Sequence, residues 1–425
     1  MASQMRLARF VKFSLSAVIA VGISLPVVAA DEVKLAITGS FTGGSAPMGV
    51  SMRDGAKLAI QEINAAGGID VGGKKMKISI IERDDEAKND RGALIAQELS
   101  SMSDLAGVIG TVNTGVAVAG DKYYQEKGIT KLITPAAGSL SMTQWSKAGV
   151  KDLSIFRFAA DDNIQAAMVV QEAIIKGYKK VALLHDTSNY GVSGREDILA
   201  QVQKQGNKLQ VVAIEKFNVG DKDMMAQLAK SKLAGAEAIL AWGVGPELAA
   251  IANEMNKIGM KTPLLGGWAL SMSTFIDNAG KNGNGAMMPQ TFIEEPITPK
   301  AKSFIDAYRK TYKVSRIPSP VSAAQGYDAV YIFAAAVKQA QSTDTRKIKD
   351  ALEDLKEPVP GVIAIWHHPY SKWNPADVRS HEAFTSQQVV MGMVKDGRVI
   401  FANPADRERL MKAATTKTQA KKSIK

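Results

Sequence analysis

The sequence predicts an α/β protein of two lobes, each a doubly wound parallel sheet covered by helices. Three observations predict it. Short β-rich runs alternate with amphipathic helical patterns of about 10–15 residues, as βαβ units and their parallel sheets require. The alternation runs once from Val33 and restarts at Val181, so it builds two sheets. The chain has 425 residues, which at roughly 100–200 residues per domain allows two or three domains with ample core.

Residues 33–38 read as the first strand. The helix beginning near Pro47 sets Met52, Ala56, Ala59, Ile60 and Ile63 on one face. Gly67-Gly68 ends it, because glycine accepts the left-handed conformation at a helix C-terminus. A strand over 76–81, a helix through Leu94, Leu99 and Met102, and a strand over 105–110 follow. A helix over about 114–127 and a strand over 131–134 complete the first run. The second run places strands at 181–185, 210–216, 237–242 and 264–267 among helices near 162–176, 190–205, 223–233 and 246–259. One strand follows over 286–292, then long helices over about 298–312 and 320–340. Residues 361–403 read as strands around a loop rich in Pro, Trp and His, with a closing hairpin that turns at Asp396-Gly397.

Composition removes several chemistries. With no cysteine, disulfides, iron–sulfur clusters, thiolate zinc sites and thiol catalysis are excluded. The formal charge of +11 would suit nucleic acid, but it is concentrated at the ends. Residues 1–30 hold Arg6, Arg9 and Lys12 and no acid. A short apolar run and then Val28 and Ala30 before Asp31 describe a secretory leader, cleaved after Ala30. That run is shorter than the roughly 20 residues a membrane span needs. Residues 406–425 read as a basic, disordered tail, with Lys412, Lys417, Lys421, Lys422 and Lys425 near its end. Residues 31–411 are left with roughly +3. No basic patch interleaved with aromatics occurs there, so nucleic acid is not an expected partner. Without cysteine there is no lipid-modified N-terminus, and a freely soluble exported protein is expected.

Enzyme signatures are largely missing: the chain has no G-x-x-x-x-G-K-[ST], H-E-x-x-H or G-x-S-x-G. The glycine-rich loop from Gly39 through Phe41 to Gly49 lacks dinucleotide spacing, but it joins a strand to a helix, where α/β sheets bind ligands. His367-His368 lacks a spaced ligand set for a metal, and Asp84-Asp85-Glu86 reads as a solvated, locally capped loop. No cofactor and no metal are expected. More informative are residues at strand ends: Thr111, Asn113 and Thr114, then Thr134, Ala136, Ala137 and Ser139, and in the second run Tyr190, Trp242 and Trp268. A helix N-terminus with a threonine hydroxyl suits a carboxylate. Aromatics across a cleft would cover an apolar ligand body.

Residues 39–49, 55–68, 108–115 and 133–137, Phe156-Arg157 with Asp161, and Tyr190-Gly191 carry a further reading. Together these segments resemble the periplasmic Leu/Ile/Val-type solute-binding proteins of bacterial ABC importers, over nearly all of the chain beyond the leader. The resemblance implies a type I periplasmic-binding fold, two doubly wound parallel-sheet lobes joined by a three-crossover hinge. Lobe 1 would be 31–155 plus 286–358, and lobe 2 156–285 plus 359–405. It implies that Thr114 holds a ligand carboxylate with backbone help at Ala136. The usual hydroxyl partner falls on Gly138, with Ser139 beside it as a substitute. Phe41, Tyr190 and Trp242 would contact the ligand body.

One departure from the family pattern matters. Where members that bind amino acids usually carry an acid to pair with the α-ammonium, this chain has Trp268. A buried ammonium without its partner costs about 3–5 kcal/mol. Glu247 or Asp277 would have to substitute. The expectation is a periplasmic, monomeric, non-enzymatic receptor. It would capture a small carboxylate-bearing ligand, an amino acid or an amine-free organic or aromatic acid, and pass it to an inner-membrane ABC permease. A ligand-sensing module for a signalling receptor and a hydrolase working in the interlobe cleft are the alternatives.

Overall fold

The computed structural model describes residues 32–412; the expected leader and residues 413–425 of the expected tail lie outside the described residues. The first sheet is built from β1 (Glu32–Gly39), β2 (Ile69–Val71), β3 (Lys74–Asp84), β4 (Leu105–Ile109), β5 (Lys131–Ile133) and β6 (Ile155–Arg157). Their order is β2-β3-β1-β4-β5-β6. All its pairings are parallel except the β2–β3 hairpin. β4 is buried at every position, as a strand covered on both faces must be. The connecting helices are α1 (Ala46–Ala65), α2 (Asn89–Ser100), α3 (Thr114–Lys127) and α4 (Leu140–Lys147). Pro47 occupies the first turn of α1, where its missing N–H costs nothing. Beyond the helix end, Gly67 and Gly68 take φ of 99° and 91°.

The second sheet draws on a longer stretch of chain. Its region contains β7 (Lys180–Asp186), β8 (Gln210–Phe217), β9 (Ala238–Trp242), β10 (Leu264–Gly266) and β11 (Met287–Gln290), then the small pair β12 (Val359–Pro360) and β13 (Ile365–Trp366), then β14 (Val390–Lys395) and β15 (Arg398–Phe401). The large sheet runs β15-β14-β11-β10-β9-β7-β8, parallel from β8 to β11 and antiparallel at β14 and β15. Helices α5 (Asp162–Ile175), α6 (Asn189–Lys204), α7 (Met225–Leu233), α8 (Glu247–Lys257) and α9 (Ser273–Ala279) accompany it. The chain then returns through α10 (Pro299–Tyr312), α11 (Pro320–Ala340) and α12 (Thr345–Glu353), which pack on α1, β4 and one another.

Passage between the sheets occurs three times: between Arg157 and Asp162, between Gln290 and Pro299, and between Glu353 and Val390. Two expectations need correction. The sequence places residues 286–358 in the first lobe, yet β11 is hydrogen-bonded into the second sheet between β10 and β14, so the crossing comes after Gln290. The tail expected to be disordered from 406 is helical over 404–412. Arg407 pairs there with Glu295 at 2.5 Å, and Leu410 packs on the cluster of Ile293, Val390 and Phe401.

In both sheets the first parallel strand lies between the second and the third, β1 between β3 and β4, and β7 between β8 and β9. The winding direction therefore reverses beside β1 and beside β7. Open α/β sheets bind ligands in the crevice at the carboxyl ends of strands flanking such a reversal. The loops concerned follow β1 and β4 in one lobe and β7 and β9 in the other.

Candidate functional site

The loops at the two reversals face each other. A methyl placed on Gly44, after β1, would lie 3.4 Å from Pro246 Cδ and 3.9 Å from Gly245 Cα, after β9. In the first lobe the loop after β4 leads directly into α3. Asn113 holds the capping position of α3 but makes no capping hydrogen bond. Its side chain instead donates to Ser45 Oγ at 3.1 Å and accepts from Ser40 Oγ at 3.2 Å, tying the β1 loop to the β4 loop. The first-turn amides of α3 are left without a side-chain cap at the positive end of the helix dipole, an arrangement suited to an anion.

Thr114 opens α3 and is buried. Its hydroxyl accepts from the Gly138 amide at 3.2 Å. The loop after β5 comes so close that a methyl on Gly138 would lie 2.4 Å from Thr114 Oγ1. Position 138 therefore has no room for the hydroxyl residue usual there. Arg157, fully buried at the end of β6, holds the same loop by donating to the carbonyls of Ala137 and Gly138, each at 3.0 Å. The Ala136 amide is already bonded to the Thr111 carbonyl at 3.0 Å. Ser139 stands next to the loop but bonds elsewhere, to Asp161 at 2.8 Å and Asp197 at 2.7 Å. Phe41 lies under the Arg53 guanidinium, 5.0 Å from the ring centroid, with its backbone N–H donated to Asp84 at 2.9 Å.

In the second lobe the three expected aromatics share one neighbourhood. Tyr190 lies in the first turn of α6, Trp242 ends β9, and Trp268 opens the turn after β10. The Tyr190 and Trp242 rings lie 6.1 Å apart. A methyl on Gly267 would lie 2.7 Å from the Tyr190 hydroxyl and 3.4 Å from the Trp242 ring. The Tyr190 hydroxyl is buried and has no hydrogen-bond partner. Two residues that the sequence did not single out hold this wall. Asp162 accepts from Trp242 Nε1 at 3.3 Å, and Gln165 accepts from the Trp268 amide at 3.1 Å. Complete burial, reinforced by the charges of Asp197 and Asp161, pushes the Asp162 carboxyl well up, toward its neutral form. The signal for Asp162 in the sequence is the acidic pair Asp161-Asp162 after Arg157.

Neither substitute for a missing acid is free. Asp277 is exposed and bonded to Arg316 at 2.7 Å. Glu247 is buried, bonds the Gly220 amide, and is pushed up chiefly by burial. The acidic run at the end of β3 is locally capped as expected but not solvated at its centre: Asp85 is buried and accepts from the Thr111 hydroxyl at 2.7 Å and from the Ala87 amide at 2.9 Å.

A family model described as a periplasmic binding protein matches residues 32–394. The Leucine-, isoleucine-, valine-, threonine-, and alanine-binding protein of Pseudomonas aeruginosa is 30% identical over 328 residues, which cover 76% of this chain and 83% of that one. A type 1 periplasmic binding protein from Bordetella pertussis superposes with a TM-score of 0.74 at 26% identity, covering 87% of this chain and 99% of the other. A solute-binding protein of an ABC transporter from R. palustris, solved with benzoate, shares the fold with a TM-score of 0.73 at 20% identity, covering 88% and 96%.

Proposed function

The chain belongs to the periplasmic binding protein family, and on that premise we propose that it captures a small, amine-free carboxylate between its lobes for delivery to a membrane permease. The observation that carries this reading is the buried Trp268, with its amide bonded to Gln165, at the position where the resemblance read from the sequence leads one to expect the acid of amino-acid binders. The nearby carboxylates are engaged or neutral: Asp161 pairs with Arg157 at 2.5 Å, and Asp162 is held by Trp242 and Gln165. An α-ammonium would enter without a partner, at a cost of about 3–5 kcal/mol. The ligand carboxylate sits at the start of α3, with the Thr114 hydroxyl donating to it. Its body lies against Tyr190, Trp242 and Trp268, which favours an aromatic ring. The unpartnered Tyr190 hydroxyl calls for a second polar group on the ligand, away from the carboxylate.

A thermal-shift panel of leucine, isoleucine and valine against hexanoate, benzoate and 4-hydroxybenzoate tests this. A ligand at 100 times its Kd stabilises by about 2.7 kcal/mol. The aromatic acids should raise the melting temperature, the hydroxylated one most, and the amino acids should leave it in place. A shift with the amino acids alone would remove the argument from Trp268.

A further inference from the structure

The Ser139 hydroxyl meets more acceptors than it has protons. Its Oγ lies 2.8 Å from Asp161 Oδ1 and 2.7 Å from Asp197 Oδ2, and it accepts from Asn163 Nδ2 at 3.0 Å. A serine hydroxyl carries one proton and two lone pairs. It can donate to one carboxylate only, so two ionised carboxylates at these distances would leave one oxygen–oxygen contact without a hydrogen. Asp161 is the ionised one: it pairs with Arg157 at 2.5 Å and accepts from the Asn163 amide at 2.7 Å. The missing proton then belongs to Asp197, which donates to Ser139, which donates to Asp161. With the Asn163 amide on its second lone pair, the hydroxyl is satisfied.

The placement of these groups gives the proton a consequence. Ser139 follows β5 of the first sheet, and Asp197 lies on α6, between β7 and β8 of the second. We propose that the Ser139–Asp197 contact is a proton-dependent latch between the lobes, fastened when the Asp197 carboxyl is protonated and loosened when it is not. This rests on the two-lobed capture reading and adds a condition to it. The charged groups facing Asp197 are Asp161 and Asp162 at the start of α5, Arg157 at the end of β6, and Glu196 on its own helix. Burial pushes Asp197 up from 3.8 to about 6; the Ser139 hydrogen bond and Arg157 pull against it, and the charges of Asp161 and Glu196 add to it. With the lobes apart, Asp197 returns to its ordinary range. Closure therefore takes up a proton: the gain is complete below the ordinary value and is lost as pH rises through about 6. Between pH 8 and pH 5 the closing constant should rise about tenfold.

The chain has no cysteine, so Lys122→Cys on α3 and Lys204→Cys on α6, both exposed, accept a dye pair that reads lobe separation without any ligand. In the unliganded full chain the ratio of closed to open molecules should rise about tenfold from pH 8 to pH 5. Asp197→Asn, whose amide donates to Ser139 at every pH, should hold the pH 5 ratio at pH 8. Circular dichroism establishes that the variant is folded; if it is not, Asp197→Ala, which removes the titrating carboxyl, takes its place and should abolish the pH slope. A flat wild-type profile, or an unchanged slope in the variant, overturns the latch. Failure of the ligand panel with the pH slope intact would overturn the ligand reading and leave the latch standing.

Discussion

The Thr114 hydroxyl accepts one hydrogen bond, from the Gly138 amide, and keeps its own proton to give. On the proposed reading that proton goes to the ligand carboxylate, and a hydrogen bond to a charged group is worth about 1.5–3 kcal/mol. Thr114→Val keeps the volume and removes both halves of the exchange. It should weaken binding roughly ten- to a hundredfold, and cost stability as well, because the buried Gly138 amide loses its acceptor at about 1–3 kcal/mol. Thr114→Ser should retain most of the affinity. Titration calorimetry with the strongest acid of the panel separates the two, and equal affinity in the Val variant would place the carboxylate elsewhere. The placement of Thr114, Tyr190, Trp242 and Trp268 at strand ends was legible, because the alternation of β-rich runs and helical patterns marks where each strand stops. The engagement of Ser139 was not, since its partner Asp197 lies 58 residues further on and no local pattern announces it.

Among the elements, α1 and α11 approach each other most closely along two glycines. A methyl on Gly55 would lie 2.0 Å from the Ala323 carbonyl oxygen, and one on Gly326 would lie 2.1 Å from that of Met52. Backbone carbonyls inside helices cannot swing aside as a side-chain end can, so Gly326→Ala must push the helices apart. Inserted carbon in a filled core costs about 1–3 kcal/mol and sometimes more; here the loss should reach or exceed about 3 kcal/mol, read as a fall in the urea midpoint at constant slope. A midpoint within error of the wild type would mean that the helices slide without cost. The existence of α1, α3 and α11 was legible from apolar spacing and terminal signals, down to the Thr114–Lys127 span of α3. The membership of β11 was not. It pairs with β14, whose residues lie about a hundred positions later, and chain order alone assigned it to the wrong lobe.

For the whole molecule the decisive question is what makes two sheets one cooperative body, and the Arg157 side chain supplies much of the answer. Arg157 stands where the chain first leaves the first sheet, and it pairs with Asp161 in that crossing and with Glu382 in the third. The strands agree with the side chains: Arg157 bridges Glu382 in parallel, and the Ala383 amide donates to the Arg157 carbonyl at 3.0 Å. Burial raises Glu382 and, although burial opposes it, Arg157 holds Asp161 below its ordinary value. One cation thus organises two carboxylates, two loop carbonyls and two of the three crossings. Replacing it by an apolar side chain leaves two buried acids without a counter-charge. Arg157→Met should therefore cost about 3–5 kcal/mol, a large share of the roughly 5–15 kcal/mol that holds a typical domain folded. The Gly138 loop, freed from the guanidinium, should also lose its fixed distance to Thr114, so ligand affinity should fall in molecules that still fold. Raising the temperature in the presence of saturating ligand tests both parts at once, because the ligand rescues only a site that remains formed. A variant that melts like the wild type and binds as tightly would show that the crossings are held by their apolar contacts alone, and that Arg157 is a passenger in the hinge.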